Sequence, residues 1–148
     1  MISRAFTCTG PYAILIAYGL KVAENRSHYP SPAQGRCAMS VSRRFNRAEW
    51  QNFMLWASKA MPPEMFASLP SWEIVSSWPG KIVATMDYEA TIDAHPGEPW
   101  YEGYPTWWHL SRVKRLLSPI QCRGNVGMWV LPENVSKAIA DAEKANAF

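Results

Sequence analysis

Apolar residues fall in short blocks along this chain, and the period inside each block predicts its geometry. Residues 2–7 read as a short strand, closed by Thr9, Gly10 and Pro11. Pro11 suits the first turn of a helix, where its missing N–H costs nothing. The run PYAILIAY then predicts a helix over 11–18, with Gly19 placed to end it. Residues 21–27 alternate. As a strand they put Val22, Glu24 and Arg26 on one face and Lys21, Ala23 and Asn25 on the other. HYPSPAQG, at 28–35, carries two prolines and a glycine and reads as a loop.

Further along, CAMSV anchors a strand over 36–42. Asn46 is placed to cap a helix over 47–60, in which Trp50, Phe53, Met54 and Ala57 recur at helical spacing. Residues 61–80, rich in proline and serine and holding Trp72 and Trp78, read as an irregular insertion. KIVATMDY predicts a strand at 81–88, entered from Pro79 and Gly80. Pro96, Gly97, Pro99, Gly103 and Pro105 make 93–106 a long loop that carries Trp100, Tyr101 and Tyr104. A strand at 107–116, a turn through Ser118 and Pro119, and a strand at 127–131 follow. Beyond Pro132 a last helix sets Val135, Ile139 and Ala142 on one face. About six short strands and three helices, with no room for repeated βαβ crossovers, predict an α+β fold. The expected form is a small β-barrel of mostly antiparallel strands with flanking helices, in a single domain over 1–148.

A chain of 148 residues can bury a sizeable core without metals or disulfides. Its 48% hydrophobic and 18% charged composition excludes intrinsic disorder. A net charge of +3 and a pI near 8.8 tolerate an anionic partner without demanding one. Eight tryptophans are unusual for this length; most are read as core, and large rings also offer faces for stacking bases. Cys8, Cys37 and Cys122 are far apart and form no CxxC pair, which points to a reduced, cytoplasmic setting. The longest apolar run is too short to span a bilayer, and the first residues lack the pattern of a signal peptide. His28, His95 and His109 are scattered without metal-ligand spacing, so no metal and no cofactor are expected.

Three places carry candidate chemistry. Lys21, Glu24 and Arg26 lie where a helix end, a glycine and a strand start commonly form a pocket wall. They admit a plain reading, an exposed Glu24–Arg26 ion pair worth roughly 0–1 kcal/mol. They also admit a functional one, in which the carboxylate reads an exocyclic amine and the cations hold a carbonyl oxygen or phosphate. Arg43, Arg44 and Arg47, interleaved with Phe45, are either a solvated turn or an edge that contacts a nucleic-acid backbone. Arg112, Lys114 and Arg115 form a second basic patch of the same kind. Among Trp100, Trp107 and Trp108 one ring is a candidate for stacking. Trp107 and Trp108 must face opposite sides of their strand, so one belongs to the core and the other to a groove.

Four segments in order, PYAILIAYGLKVAENRS, GRCAMSVSRR, PGKIVATMDY and WWHLSRVKRLLSPIQCRGNVGMWVLP, resemble the ASCH domain family of the PUA-like superfamily. Gly19, Lys21, Glu24 and Arg26 match its Gly-x-Lys-x-x-Glu-x-Arg motif. Pro119, Cys122, Arg123, Gly124, Gly127 and Trp129 match its late Pro-x-x-Cys-(Arg/Lys)-Gly-x-x-Gly-x-Trp segment. The resemblance implies a five- or six-stranded PUA-like barrel whose cleft is walled by the first motif, and a ligand that is RNA, DNA or a nucleobase. A bacterial branch of the family resembles metal-independent amidohydrolases acting on N4-acetylcytidine through a lysine, a threonine three residues on, and a distal glutamate. Lys21 fits the lysine, whereas Glu24 stands where that branch has threonine. Glu89, Glu98 and Glu102 are candidates for the distal acid. The helix also opens Gly10-Pro11-Tyr12 where the family has Gln-Pro-Trp.

Three functions are therefore expected in order. The first is binding of RNA, DNA or a modified nucleoside, with Lys21, Glu24, Arg26 and one of Trp100, Trp107 or Trp108 on the base and Arg43, Arg44 and Arg47 on the backbone. The second is deacylation of an N4-acylated cytidine by Lys21 with Glu24. The third is a protein-binding module that uses the Trp- and Pro-rich stretch 61–106.

Overall fold

The computed structural model of the chain describes residues 1–26, 29–91 and 106–148. Strand β1 (Arg4–Cys8) leads into helix α1 (Gly10–Ala17), whose residues Ala13 to Ala17 are all buried. A helix apolar on every side must be enclosed on every side, and α1 packs against both the sheet and helix α2 (Arg47–Ala60). Gly10 permits this closeness: a Cβ there would lie 2.0 Å from the ring of Phe45. Asn46 caps α2 as expected, its Oδ1 accepting the Glu49 N–H at 2.9 Å.

The strands β2 (Ala23–Arg26), β3 (Gln34–Val41), β4 (Lys81–Thr91), β5 (Thr106–Gln121) and β6 (Met128–Val130) join β1 in one sheet, ordered β2-β5-β4-β3-β1-β6. Only β1 with β3 runs parallel among these pairings; the other ladders are antiparallel. Register shifts in the β3–β4 and β4–β5 ladders, with Arg112 at φ 48°, bend the strands as bulges do. The sheet curls into a half-barrel, so that edge strand β2 comes within hydrogen-bond reach of β1: Arg26 Nη2 donates to the Thr7 carbonyl at 2.9 Å. The α+β barrel-like architecture read from the sequence is the one observed.

Alternation divides the core. Phe6, Cys8, Cys37, Met39, Val41, Met86, Tyr88 and Trp108 face the concave side with α1. Ala5, Ala38, Ile82 and Leu116 face the other side, where Val135 and Ile139 of α5 (Glu133–Lys144) cover them. Covered on both faces, β3 is buried without a break from Cys37 to Val41.

Two expectations need correction. The stretch at 61–80 is not irregular but holds two short helices, α3 (Pro63–Ala67) and α4 (Trp72–Val75). Pro63 opens the first in the position prolines favour, and Trp72 anchors the second through ring contacts with Phe45 and Trp50 at 5.8 and 6.0 Å. Strand β5 does not turn at Ser118 and Pro119 but runs on to Gln121. Its register with β2 covers only 106–109, so on that side Pro119 forfeits no ladder hydrogen bond. Among the described residues no helix is long and apolar enough to cross a membrane.

Candidate functional site

The site begins with how α1 ends. Gly19 takes φ +73°, the left-handed conformation that glycine adopts at no steric cost. The Gly19 N–H donates to the Ile16 carbonyl at 3.0 Å and the Leu20 N–H to Leu15 at 2.8 Å, the bonding of a Schellman turn. The Lys21 N–H reaches the same Leu15 carbonyl at 3.1 Å. The chain therefore folds back beneath the helix, and Lys21 enters the interior, 1% exposed. Strand β2 starts only at Ala23. Strand alternation never applies to Lys21, and this is how it joins Glu24 on the buried side while Val22 is 41% exposed.

Lys21 Nζ donates to the Ala23 carbonyl and lies 5.3 Å from the centre of the Tyr12 ring. Glu24 pairs through Oε1 with Arg26 Nε at 3.0 Å, and its Oε2 accepts from the Cys8 thiol at 3.9 Å. Burial pushes the Glu24 carboxyl above the usual range; the charges of Arg26 and then Lys21 pull against that rise. Burial, with Glu24 second, pushes the Cys8 thiol far up, so it stays protonated and unreactive.

Arg26 is the hinge of the arrangement. Its guanidinium lies 5.3 Å from the ring centres of both Phe6 and Trp108. A guanidinium carries five N–H donors, more than Glu24 and the Thr7 carbonyl take up. Arg26 and Trp108 line a cavity of about 470 Å³ with Tyr29, Ser31, Gly127 and Met128. That volume falls within the range of small-molecule sites. Lys21 and Glu24 are not among its lining residues and stand behind Arg26. Trp108 packs edge-on to Phe6 at 5.5 Å, and its buried indole N–H has no hydrogen-bond partner among the described residues.

The late motif braces the same place from below. Trp129 Nε1 donates to Thr7 Oγ1 at 3.2 Å, and Thr7 Oγ1 lies 3.2 Å from Ser40 Oγ. A Cβ on Gly124 would stand 2.7 Å from Thr7 Oγ1. Gly124 and Trp129 thus hold Thr7, and the Thr7 carbonyl holds Arg26. Two motifs separated by about a hundred residues meet on one threonine.

Other candidate residues go elsewhere. Trp107 faces away from Trp108, half-buried and edge-on to His109 at 6.4 Å. Trp108 fills both roles that the sequence divided between the pair, since it is core and cavity wall at once. Trp100 lies outside the described residues, as do Glu98 and Glu102. Glu89 is exposed, beside His109 on the face opposite Tyr88 and Trp108. Arg43, Arg44 and Arg47 are exposed after β3, but Phe45 between them is buried under Gly10 and Trp72 and presents no ring to a ligand. The basic patch on β5 is divided. Arg112 pairs with Asp87 at 2.5 Å, whereas Arg115 stacks on Tyr18 at 3.9 Å.

Sequence reasoning missed Tyr29 and Met128 as cavity walls, and Phe6, Thr7 and Cys8 as partners of the charged cluster. Phe6 and Cys8 alternate along β1 and were legible as an inward face. Tyr29 carried no signal beyond an aromatic ring in a proline-rich loop. Among the described residues no group of three His, Cys, Asp or Glu side chains is placed to hold a metal ion. No protein-family model matches the chain, and no curated protein is significantly similar to it.

Proposed function

We propose that the chain is an ASCH-type, PUA-like module that binds a nucleobase, presented by RNA, DNA or a modified nucleoside, in the Arg26–Trp108 cavity. The observation that carries this reading is a part-exposed guanidinium, fixed by Glu24 and Thr7, beside an indole at a cavity of about 470 Å³. A fixed guanidinium is a fork for carbonyl and ring-nitrogen acceptors on a base edge. Tyr29 and Met128 supply an aromatic and an apolar wall for the base, with the buried Trp108 holding Arg26 behind them, and stacking on an aromatic ring is worth about 1–3 kcal/mol per base. Exposed Arg43, Arg44 and Arg47 are the candidates for backbone contact.

Titration with single-stranded RNA and DNA oligomers and with free nucleosides, at two salt concentrations, tests it. Oligomer affinity should fall steeply with salt while nucleoside affinity changes little, because only the former releases counterions. Arg26→Lys should weaken both by about tenfold, since it keeps the charge but loses the fork. Absence of binding to every oligomer and nucleoside at low salt rejects the proposal.

A second reading rests on the raised carboxyl of Glu24 beside Lys21. A carboxyl raised above its usual range suits proton transfer, and hydrolysis of an N4-acylated cytidine needs such a transfer. Water adds to the acyl carbon, the C–N bond breaks, and the amine leaves with a proton. Release of cytidine from N4-acetylcytidine, followed by chromatography, is the assay. Turnover that is unchanged in Lys21→Ala removes Lys21 from any such mechanism.

A further inference from the structure

A second recess shares no residue with the Arg26 cavity. It measures about 330 Å³ and lies between α4 and β5, with Tyr18, Trp78, Leu116 and Phe148 in its lining. Ile74 from α4 and Leu117 from β5 border it, 52% and 72% exposed. Two large aliphatic side chains are thus left in solvent at one groove.

Three arginines elsewhere on the sheet have carboxylate partners. Arg26 has Glu24, Arg36 has Asp87 and Glu143, and Arg112 has Asp87. Arg115 lines the groove and, among the described residues, has no carboxylate within ion-pair distance. It is held by a ring instead, its guanidinium 3.9 Å from the centre of Tyr18, which in turn lies 6.5 Å from Trp78. Lys114 is not in the groove lining, but its Nζ lies 5.4 Å from the ring of Phe148, which is. A stacked guanidinium has already lost much of its rotamer freedom, so a carboxylate that pairs with it incurs less ordering cost.

We infer that this groove is a docking site for an acidic peptide segment with an aliphatic side chain. The aliphatic group would lie between Ile74 and Leu117, and a neighbouring carboxylate would pair with Arg115. Charge complementarity selects the acid. The exposed aliphatic side chains of Ile74 and Leu117 select a peptide over a nucleic acid, which has no aliphatic side chain to set against them. The stretch 61–106, singled out in the sequence for protein contact, contributes Ile74, Ser77 and Trp78.

The test is a heteronuclear NMR titration of the 15N-labelled full chain with three probes. These are a hexapeptide of alternating glutamate and leucine, its glutamine–leucine counterpart, and an oligouridylate. The acidic peptide should shift the amides of Ile74, Leu117 and Phe148 and the indole of Trp78. Arg115→Gln and Leu117→Asp should each weaken that binding at least about fivefold. Both residues are exposed, so both variants should fold, and their nucleoside titrations at the Arg26 cavity should match wild type. Equal binding of the neutral peptide, groove shifts from the oligouridylate alone, undiminished binding by Arg115→Gln, or no groove shift at all each overturns the inference.

Discussion

Glu24 is a carboxyl that the fold makes reluctant to ionise, and this has a defined consequence for stability. Its folded pKa is raised above the ordinary value of 4.5, so the unfolded chain releases that proton first as pH rises. The contribution of Glu24 to stability is fully present below pH 4.5 and is lost as pH rises through the folded value. Glu24→Gln has no such dependence. Urea unfolding across pH 4 to 8 should therefore show the variant gaining stability relative to wild type as pH increases; a constant difference would contradict the assigned shift. Lys21 illustrates the limit of reading single residues. Its charge, its glycine neighbour and its distance from Glu24 were all plain in the sequence. Strand alternation alone would put it on the face opposite Glu24, and it joins Glu24 only because the backbone between Gly19 and Val22 is a turn and not a strand.

Helix ends and strand edges decide where such residues finish. Gly19→Ala should cost about 1–2 kcal/mol, the penalty for a Cβ in the left-handed region, and should also weaken ligand binding by disturbing the turn into β2, which carries Arg26. Asn46→Ala should cost a similar amount, roughly 0.5–2 kcal/mol, by removing the α2 cap, yet leave binding unchanged. Thermal unfolding paired with nucleoside titration separates the two. The α2 cap was fully legible, since Asn46 and the spacing of Trp50, Phe53 and Ala57 are local signals. The helices at 61–80 were not. Each is a turn or so long, too short to be stable alone, and α4 is set in place by Trp72 against Phe45 and Trp50, residues distant in sequence. The run of β5 through Pro119 depended on which strands flank it, information that no window around Pro119 contains.

Closure of the half-barrel rests on a few contacts between β2 and β1, with Arg26 at their centre. Arg26→Met should cost about 3 kcal/mol, because it leaves Glu24 buried without its partner. Hydrogen exchange should then show β2, a four-residue edge strand, losing protection before β3 and β4. Uniform loss across the sheet would mean that the tie does not set the curl. Gly124→Ala acts on the same tie from the other side. It should destabilise by about 1–3 kcal/mol through overpacking against Thr7. The hydrophobic blocks, the punctuation by glycine and proline, and the polar caps are local properties of the chain, and they alone determined the α+β class, most strand positions and the main helices. Which residues share a site is a property of the curl. Glu24 meets Cys8, Arg26 meets Thr7, and Gly124 and Trp129 meet Thr7 only because a bulged sheet brings its edge back toward its first strand. Long-range register and side-chain packing make that choice, and neither is written in any single stretch of sequence.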